Sequence, residues 1–188
     1  NNVLFDCTDE VYSSGSHQGE YRLRYEISRF VNSTRGGHTS PEQIVIGAGI
    51  QYLIGILAGI LKGSIHTAAV EHPGYEKAKY IFEDYGFNTI DIPVAENGIN
   101  IQSLKHSNAD IVYVSPSHQY PTGSLMPIQK RLQLLSWAEG RKGFILEDDY
   151  DSLIRFESRP VPCLQGLDKD DRVIYLGSFS KILTPALR

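Results

Sequence analysis

The stretch RVIYLGSFSKILTPALR, residues 172–188, decides how the rest of the chain is interpreted. Its first residues have the composition of a buried strand, and a turn with two serines and Lys181 follows. In α/β sheets, side chains just past the end of such a strand lie where ligands bind. A lysine there is either a nucleophile, activated by desolvation or by a cation such as Arg188, or an ordinary solvated side chain. Arg188 could instead bind an anion together with Ser178 and Ser180.

Strand-like apolar runs alternate with helical patterns along the whole chain. The predicted strands are residues 44–46, 67–71, 88–92, 110–114, 143–149 and 172–176. The predicted helices are residues 19–34, 50–62, 75–85, 101–106 and 127–140, and the segment SPEQ, residues 40–43, has the pattern of a capped short helical turn. Such alternation, with strands that are apolar throughout, is typical of a mostly parallel sheet covered by helices on both faces. The sequence therefore predicts the α/β class.

Apolar spacing also predicts the inward faces of two helices. The three- and four-residue intervals of an amphipathic helix recur in both segments. The predicted inward residues are Leu23, Ile27, Phe30 and Val31 in the first helix, and Ile128, Leu132, Leu135 and Ala138 in the last.

Composition and charge exclude several classes of function. The net charge of −4 and the scattered basic residues indicate that this segment does not itself bind nucleic acid. Cys7 and Cys163 are the only cysteines, and we expect free thiols in a reducing, cytoplasmic compartment. The apolar run over residues 44–61 is interrupted by glycines, so a strand, turn and helix explain it better than a membrane span.

The turn Gly47-Ala48-Gly49 stands between a predicted strand and a predicted helix. Backbone amides at the helix start, around Ile50 and Gln51, together with the positive end of the helix dipole, would bind a phosphate group. Glycines in such a turn are also common as simple packing. The dinucleotide fingerprint G-x-G-x-x-G is absent, because Tyr52 stands at the third glycine position.

The segment Glu147-Asp148-Asp149-Tyr150 ends another predicted strand in acid. Because side chains alternate along a strand, Asp148 and Tyr150 share one face and Glu147 and Asp149 share the other. A carboxylate at this edge could keep a ring nitrogen protonated, and a phenol could donate a hydrogen bond to a ring oxygen. The alternatives are a solvated acidic loop or a divalent-cation site. We expect no metal, since no second carboxylate cluster is apparent, although residues 168–171 leave that possibility open.

Two further loops contain candidate ligand-binding residues. Tyr75 follows a His-Pro-Gly turn and could stack on a flat ligand, although such a tyrosine is more often part of the core. The polar loop HQYPTG, residues 118–123, follows a strand and is a candidate wall of the site. A phosphate cradle, stacking ring, carboxylate, phenol, lysine and arginine together indicate pyridoxal 5'-phosphate as the cofactor.

These motifs resemble those of known families. Ser178-Phe179-Ser180-Lys181, followed by Arg188, resembles the cofactor-lysine motif of fold-type-I pyridoxal-phosphate enzymes, the aspartate aminotransferase superfamily. The loop at residues 118–123 is similar to the end of that superfamily's Asn-Pro-x-Gly loop, with Tyr120 in place of the asparagine. The combination of RG at 35–36, PEQI at 41–44, EDDYDS at 147–152 and PALR at 185–188 is similar to MocR-type, GntR-class transcription regulators.

The resemblance implies a role for each candidate residue. Lys181 would form a Schiff base with the cofactor, Asp148 would face the pyridine nitrogen, Tyr150 would lie near the ring oxygen and Tyr75 would stack on the ring. The phosphate would be bound by Ser178, Arg188 and the backbone near Ile50 and Gln51.

The resemblance also implies how the chain is organised and what it does. We expect residues 1–188 to be a single large domain of the aminotransferase-like fold, a fragment without the family's winged helix and small C-terminal domain. The implied function is that of a cofactor-binding effector domain of a MocR-type regulator, homodimeric, sensing pyridoxal phosphate or a small amino compound. DNA would be bound only through the winged-helix part. The alternative is an aminotransferase that transfers an amino group between an amino acid and a keto acid, although sustained turnover by this segment alone is not expected.

Overall fold

Six strands form a single sheet in the computed structural model, which describes residues 15–151 and 162–181. The strands are β1 (Thr67–His72), β2 (Asn88–Ala95), β3 (Gly98–Ile99), β4 (Ile111–Val114), β5 (Phe144–Asp149) and β6 (Val173–Gly177). The helices are α1 (Tyr21–Arg35), α2 (Ile50–Leu61), α3 (Glu76–Asp84), α4 (Ile101–His106), α5 (Ile128–Arg141) and α6 (Leu164–Leu167), with a 3-10 turn at Pro41–Gln43. None of these helices is long and apolar enough to cross a membrane.

The sheet has the order β3-β2-β1-β4-β5-β6, and only the short pairing of β2 with β3 is antiparallel among the described strands. The prediction of a mostly parallel α/β sheet is therefore confirmed. Because β1, β4, β5 and β6 run in the same direction, their carboxyl ends meet at one edge. In the pairing of β5 with β6, Asp148 lies opposite Leu176 and Asp149 opposite Gly177.

A hydrophobic cluster packs against each face of the sheet. One cluster includes Val112, Leu134 and Ile145, and the other includes Phe82 and Leu146. Strands buried on both faces are apolar at successive positions, which explains their continuous apolar runs. The sheet thus provides a rigid base for the residues at its carboxyl edge.

The segment at residues 44–46 is not a strand, contrary to the prediction. The amide of Ile44 donates to the carbonyl of Pro41 (3.3 Å), and that of Ile46 donates to the carbonyl of Gln18 (2.8 Å). These bonds tie the segment to the 3-10 turn and to the chain preceding α1 rather than to the sheet. The capped turn that precedes it is confirmed, since Ser40 and Gln43 form a reciprocal capping box.

The predicted inward faces of α1 and α5 are partly wrong. Leu23 is exposed on α1, and Ile128 and Leu132 are exposed on α5. The buried residues are Arg24, Ser28, Val31 and Arg35 on α1, and Arg131, Leu134, Trp137 and Ala138 on α5. The prediction counted apolar side chains only, whereas buried arginines that find hydrogen-bond acceptors occupy part of each inner face.

Candidate functional site

Asp148 is a buried carboxylate near the carboxyl end of β5, with 5% of its surface exposed. The phenol of Tyr113, on β4, donates a hydrogen bond to its Oδ2 atom. Its Oδ1 atom is buried and has no hydrogen-bond partner among the described residues. Burial raises the pKa of Asp148 to about 7, and the charges of Asp149 and Asp151 act in the same direction, while the bond from Tyr113 opposes them.

The carboxylates on the opposite face of β5, Glu147 and Asp149, accept hydrogen bonds from other parts of the protein. Asp149 accepts hydrogen bonds from Arg35 Nε (2.7 Å) and from the phenol of Tyr175 (2.6 Å). Glu147 accepts bonds from the backbone amides of Leu164 (2.8 Å) and Gln165 (3.1 Å) at the start of α6. The prediction that Asp148 faces away from Glu147 and Asp149 is confirmed by these contacts. Within residues 15–151 and 162–181, no three His, Cys, Asp or Glu side chains form a group that could hold a metal ion.

Tyr75 lies at the start of α3 and connects two of the predicted site elements. Its phenol oxygen accepts a hydrogen bond from Gln51 Nε2 at 2.9 Å. Its ring lies 6.3 Å from that of Tyr113, with 27° between the planes, and meets Tyr120 edge-on at 6.5 Å. The structure therefore connects Gln51, Tyr75, Tyr113 and Asp148 through a continuous series of contacts.

The turn before α2 has the backbone geometry that its glycines suggested. Gly49 adopts φ of +99°, a conformation that favours glycine, and a Cβ atom at this position would meet open space. The first backbone amides of any helix lack acceptors within that helix. The side of Gly49 on which a Cβ atom would lie is therefore open, next to the first residues of α2, Ile50 and Gln51.

Tyr150 and the Lys181 turn also follow strands that lie side by side at this edge. Tyr150 is half-buried, and its ring is stacked on His118, with centroids 6.0 Å apart. Burial is the main cause that raises the pKa of its phenol to about 12. After β6, the amide of Ser180 donates to Ser178 Oγ (3.2 Å), and Lys181 is exposed in the turn. Cys7 and Arg188 lie outside the described residues, and Cys163 is a buried free thiol.

Three buried residues near the site were not predicted from the sequence. They are Tyr113, Arg35 and Glu71, and no local signal in the sequence indicates their contacts, because each partner lies in a distant segment of the chain. Glu71, at the carboxyl end of β1, accepts a bond from the amide of Ser115 (3.1 Å), and burial raises its pKa to about 7. Glu71 follows Val70, which pairs in register with Tyr113, so Glu71 points to the face opposite Asp148.

The fold and the residues at the carboxyl edge of its sheet define a class of protein. The chain belongs to the aminotransferase class I and II family, whose sequence model matches residues 8–185. Solved structures agree: the chain superposes with a TM-score of 0.86 and 28% identity on LysN, the alpha-aminoadipate aminotransferase from Thermus thermophilus, complexed with N-(5'-phosphopyridoxyl)-L-leucine. That match covers 100% of this chain and 48% of the other. The kynurenine aminotransferase from Pyrococcus horikoshii gives a TM-score of 0.87 at 26% identity, covering 98% of this chain and 48% of the other.

Sequence relatives include HTH-type transcription regulators. The chain is 46% identical over 187 residues to the uncharacterized HTH-type transcriptional regulator YdeL of Bacillus subtilis, covering 100% of this chain and 40% of that protein. It is 38% identical over 168 residues to the pyridoxine biosynthesis regulator PdxR of Corynebacterium glutamicum, covering 89% and 36%. It is 37% identical over 180 residues to the probable rhizopine catabolism regulatory protein MocR of Rhizobium meliloti, covering 96% and 36%. The chain thus spans well under half the length of these relatives.

Proposed function

We propose that this chain is the pyridoxal-phosphate-binding effector domain of a MocR-type transcription regulator, with the cofactor bound covalently to Lys181. The observation that carries the proposal is the buried Oδ1 atom of Asp148, which has no hydrogen-bond partner among the described residues. A buried acceptor without a donor is costly, and a protonated ring nitrogen would supply the missing donor.

The residues present fit the cofactor at both of its ends. At the ring end, Asp148 offers a carboxylate and Tyr75 offers an aromatic ring, and Tyr113 contacts both of them. At the phosphate end, Gly49 leaves open space at the start of α2. The full set proposed to hold the cofactor is Lys181, Asp148, Tyr150, Tyr75, Gly49, Ile50, Gln51, Ser178, Ser180 and Arg188.

Bound pyridoxal phosphate supplies an electron sink at the substrate carbon attached to it. Asp148 would hold a proton on the ring nitrogen, because a carboxylate stabilises a neighbouring cation. The amine of Lys181 would form the covalent link, and the exposure of its turn leaves that amine accessible to a small aldehyde. The helix-start amides of Ile50 and Gln51 would bind the phosphate.

The regulator is favoured over an enzyme by the sequence relatives, among which HTH-type regulators reach 46% identity. In that case DNA binding belongs to another part of the protein, and this domain changes state when the cofactor or a small amino compound binds. We also propose a homodimer in the cytoplasm. The second candidate is a class I/II aminotransferase, supported by the solved aminotransferases that share the fold at 26–28% identity.

Covalent attachment is tested by borohydride reduction of the protein with pyridoxal phosphate, followed by peptide mass mapping. We expect one reduced adduct, on Lys181, and its loss in Lys181→Ala. Lys105→Ala, an exposed lysine on α4, is the matched control and should keep the adduct. An adduct on a different lysine, or none in folded protein, would refute the proposal.

The choice between regulator and enzyme needs the full-length protein. We expect cofactor-dependent protection of a promoter fragment and at most a single round of reaction with amino acids. Many turnovers with amino-acid and keto-acid pairs, without specific DNA binding, would instead establish the aminotransferase.

A further inference from the structure

Tyr113 is a buried phenol that contacts two separate parts of the proposed cofactor site. It lies on β4 with 1% of its surface exposed. Its hydroxyl donates to Asp148 Oδ2, and its ring is stacked on Tyr75. The proposed function assigns no role to Tyr113, because its contacts are to protein residues.

The hydrogen bond from Tyr113 distinguishes the two oxygens of Asp148. A carboxylate can rotate about its terminal bond, and that torsion is broad when nothing restrains it. Here Oδ2 is occupied by the phenol, and Oδ1 is left as the buried acceptor without a partner among the described residues. The phenol therefore restricts the carboxylate to an orientation in which only Oδ1 is available to a further donor.

The phenol is suited to act as a permanent donor. Burial and the neighbouring Asp148 raise the pKa of Tyr113 well above that of a free tyrosine, so its hydroxyl keeps its proton across the physiological range. A hydrogen bond to a charged carboxylate stabilises the charged form. The bond thus opposes the effect of burial, which favours the neutral form of Asp148.

The ring of Tyr113 supports a second part of the site. Its ring is stacked on that of Tyr75, whose hydroxyl in turn accepts the bond from Gln51 beside the proposed phosphate turn. A change at Tyr113 would therefore act on the carboxylate and on the stacking ring together.

We propose that Tyr113 is a positioning residue that orients the Asp148 carboxylate toward the cofactor ring nitrogen and keeps it charged. The cofactor part of this inference rests on the proposed function, whereas the action of Tyr113 on Asp148 exists without any ligand. The described groups that act on the Asp148 carboxyl are Tyr113 from β4 and Asp149 and Asp151 from its own segment, and its neighbour in β6 is the apolar Leu176.

The test compares two phenols that each donate to a buried carboxylate of β5. Tyr113→Phe removes the donor to Asp148, and the matched control Tyr175→Phe removes the donor to Asp149 on the opposite face. The first readout is the titration of the Asp148 carboxyl in the cofactor-free, full-length protein, followed by carbon-13 NMR of labelled aspartate and assigned with Asp148→Asn. The second readout is the chemical shift of the ring nitrogen in bound, nitrogen-15-labelled pyridoxal phosphate.

We expect Tyr113→Phe to raise the Asp148 titration midpoint by about one pH unit or more, because a hydrogen bond to a charged group is lost. It should also move the bound ring nitrogen toward its unprotonated shift. Tyr175→Phe should leave both readouts unchanged. Unchanged readouts in Tyr113→Phe, with cofactor still bound, would overturn this inference and leave the proposed function standing.

Two further outcomes are decisive. Failure of the wild-type protein to bind pyridoxal phosphate would refute both the proposed function and the cofactor role of Tyr113. If Tyr113→Phe does not fold, site-specific replacement of Tyr113 by 3-fluorotyrosine keeps the ring and provides a stronger donor. The Asp148 titration midpoint should then fall, and an unchanged midpoint would overturn the inference.

Discussion

Asp148 and Asp149 are adjacent buried carboxylates in one strand, and their surroundings are opposite in kind. Asp149 is 2% exposed and is held by the guanidinium of Arg35 and the phenol of Tyr175. Asp148 is 5% exposed, accepts one bond from Tyr113, and keeps one buried oxygen without a partner in the described part of the chain. Asp149 has donors on both of its oxygens, whereas Asp148 has a donor on only one oxygen within the described residues.

Under the proposed function, hydrogen-bond satisfaction separates the structural carboxylate, Asp149, from the cofactor carboxylate, Asp148, better than burial does. Both are nearly inaccessible to solvent, so exposure alone would assign them the same role. A buried ion pair whose hydrogen bonds are satisfied holds α1 against the carboxyl end of β5. A buried acceptor left without a donor lowers the stability of the ligand-free protein, and such a cost is typical of functional sites.

The largest expected effect comes from breaking the structural pair. Arg35→Met should destabilise the fold by about 3–5 kcal/mol, because it leaves the charge of Asp149 buried without its ion-pair partner. Arg29→Met on the same helix is the matched control, since Arg29 pairs with Glu26 where both side chains are more than half exposed. It should cost less than about 1 kcal/mol. Urea denaturation measures both, and similar midpoints for the two variants would contradict the assignment of Asp149 as structural.

The second expected effect is a gain in stability, from removing the charge of Asp148. The pKa of Asp148 is raised from 3.8 to about 7 in the folded state, so the folded protein binds more protons than the unfolded chain between these values. Its contribution to the free energy of unfolding therefore falls as the pH rises from about 4 to 7. Asp148→Asn removes this contribution, and the cofactor-free variant should be more stable than the wild type at pH 8 by roughly 1–3 kcal/mol.

The pH dependence supplies the control for this prediction. The wild type and Asp148→Asn should have nearly equal stability at about pH 4, where Asp148 is protonated in the folded state. Part of the decline of the free energy of unfolding with rising pH should persist in Asp148→Asn, because burial also raises the pKa values of Glu71 and Glu147 to about 7. Thermal unfolding across this range measures the difference, and a variant less stable than the wild type at pH 8 would contradict the prediction.

The sequence predicts only part of this contrast between Asp148 and Asp149, because their hydrogen-bond partners are far away along the chain. Strand alternation alone places Asp148 and Asp149 on opposite faces, and it is confirmed. Arg35, the ion-pair partner of Asp149, is 114 residues away in the chain, and nothing local in the sequence of α1 indicates that its side chain reaches Asp149. The same limit applies to Tyr113, which reads as one more apolar strand residue until β4 and β5 are paired.

Helix faces were predicted less well for a related reason. Arg131 is fully buried on α5, where its guanidinium donates to the carbonyls of Met126, Pro116 and Pro162. An amphipathic pattern treats arginine as a solvent-facing residue, so it assigned Leu132 to the core instead. Buried arginines are stable where loop carbonyls converge, and that convergence depends on tertiary structure.

The smallest expected effect on stability is at Gln51, at the proposed phosphate end of the site. Gln51→Ala removes an exposed hydrogen bond to Tyr75 and should change the free energy of unfolding by less than about 0.5 kcal/mol. Its effect on cofactor affinity should be larger than its effect on stability, because Tyr75 loses the contact that orients it. Fluorescence titration with pyridoxal phosphate measures the affinity. A loss of stability without a change in affinity would assign Gln51 to the fold instead.

The protonation state of the cofactor ring nitrogen tests the contrast between Asp148 and Asp149 most directly. Nitrogen-15-labelled pyridoxal phosphate would be bound to the wild type, to Asp148→Asn and to Asp149→Asn, and its ring-nitrogen shift recorded on folded protein at neutral pH. We predict a protonated nitrogen in the wild type and in Asp149→Asn, and an unprotonated nitrogen in Asp148→Asn. A nitrogen that stays protonated in Asp148→Asn, or loses its proton only in Asp149→Asn, would contradict the functional assignment of Asp148.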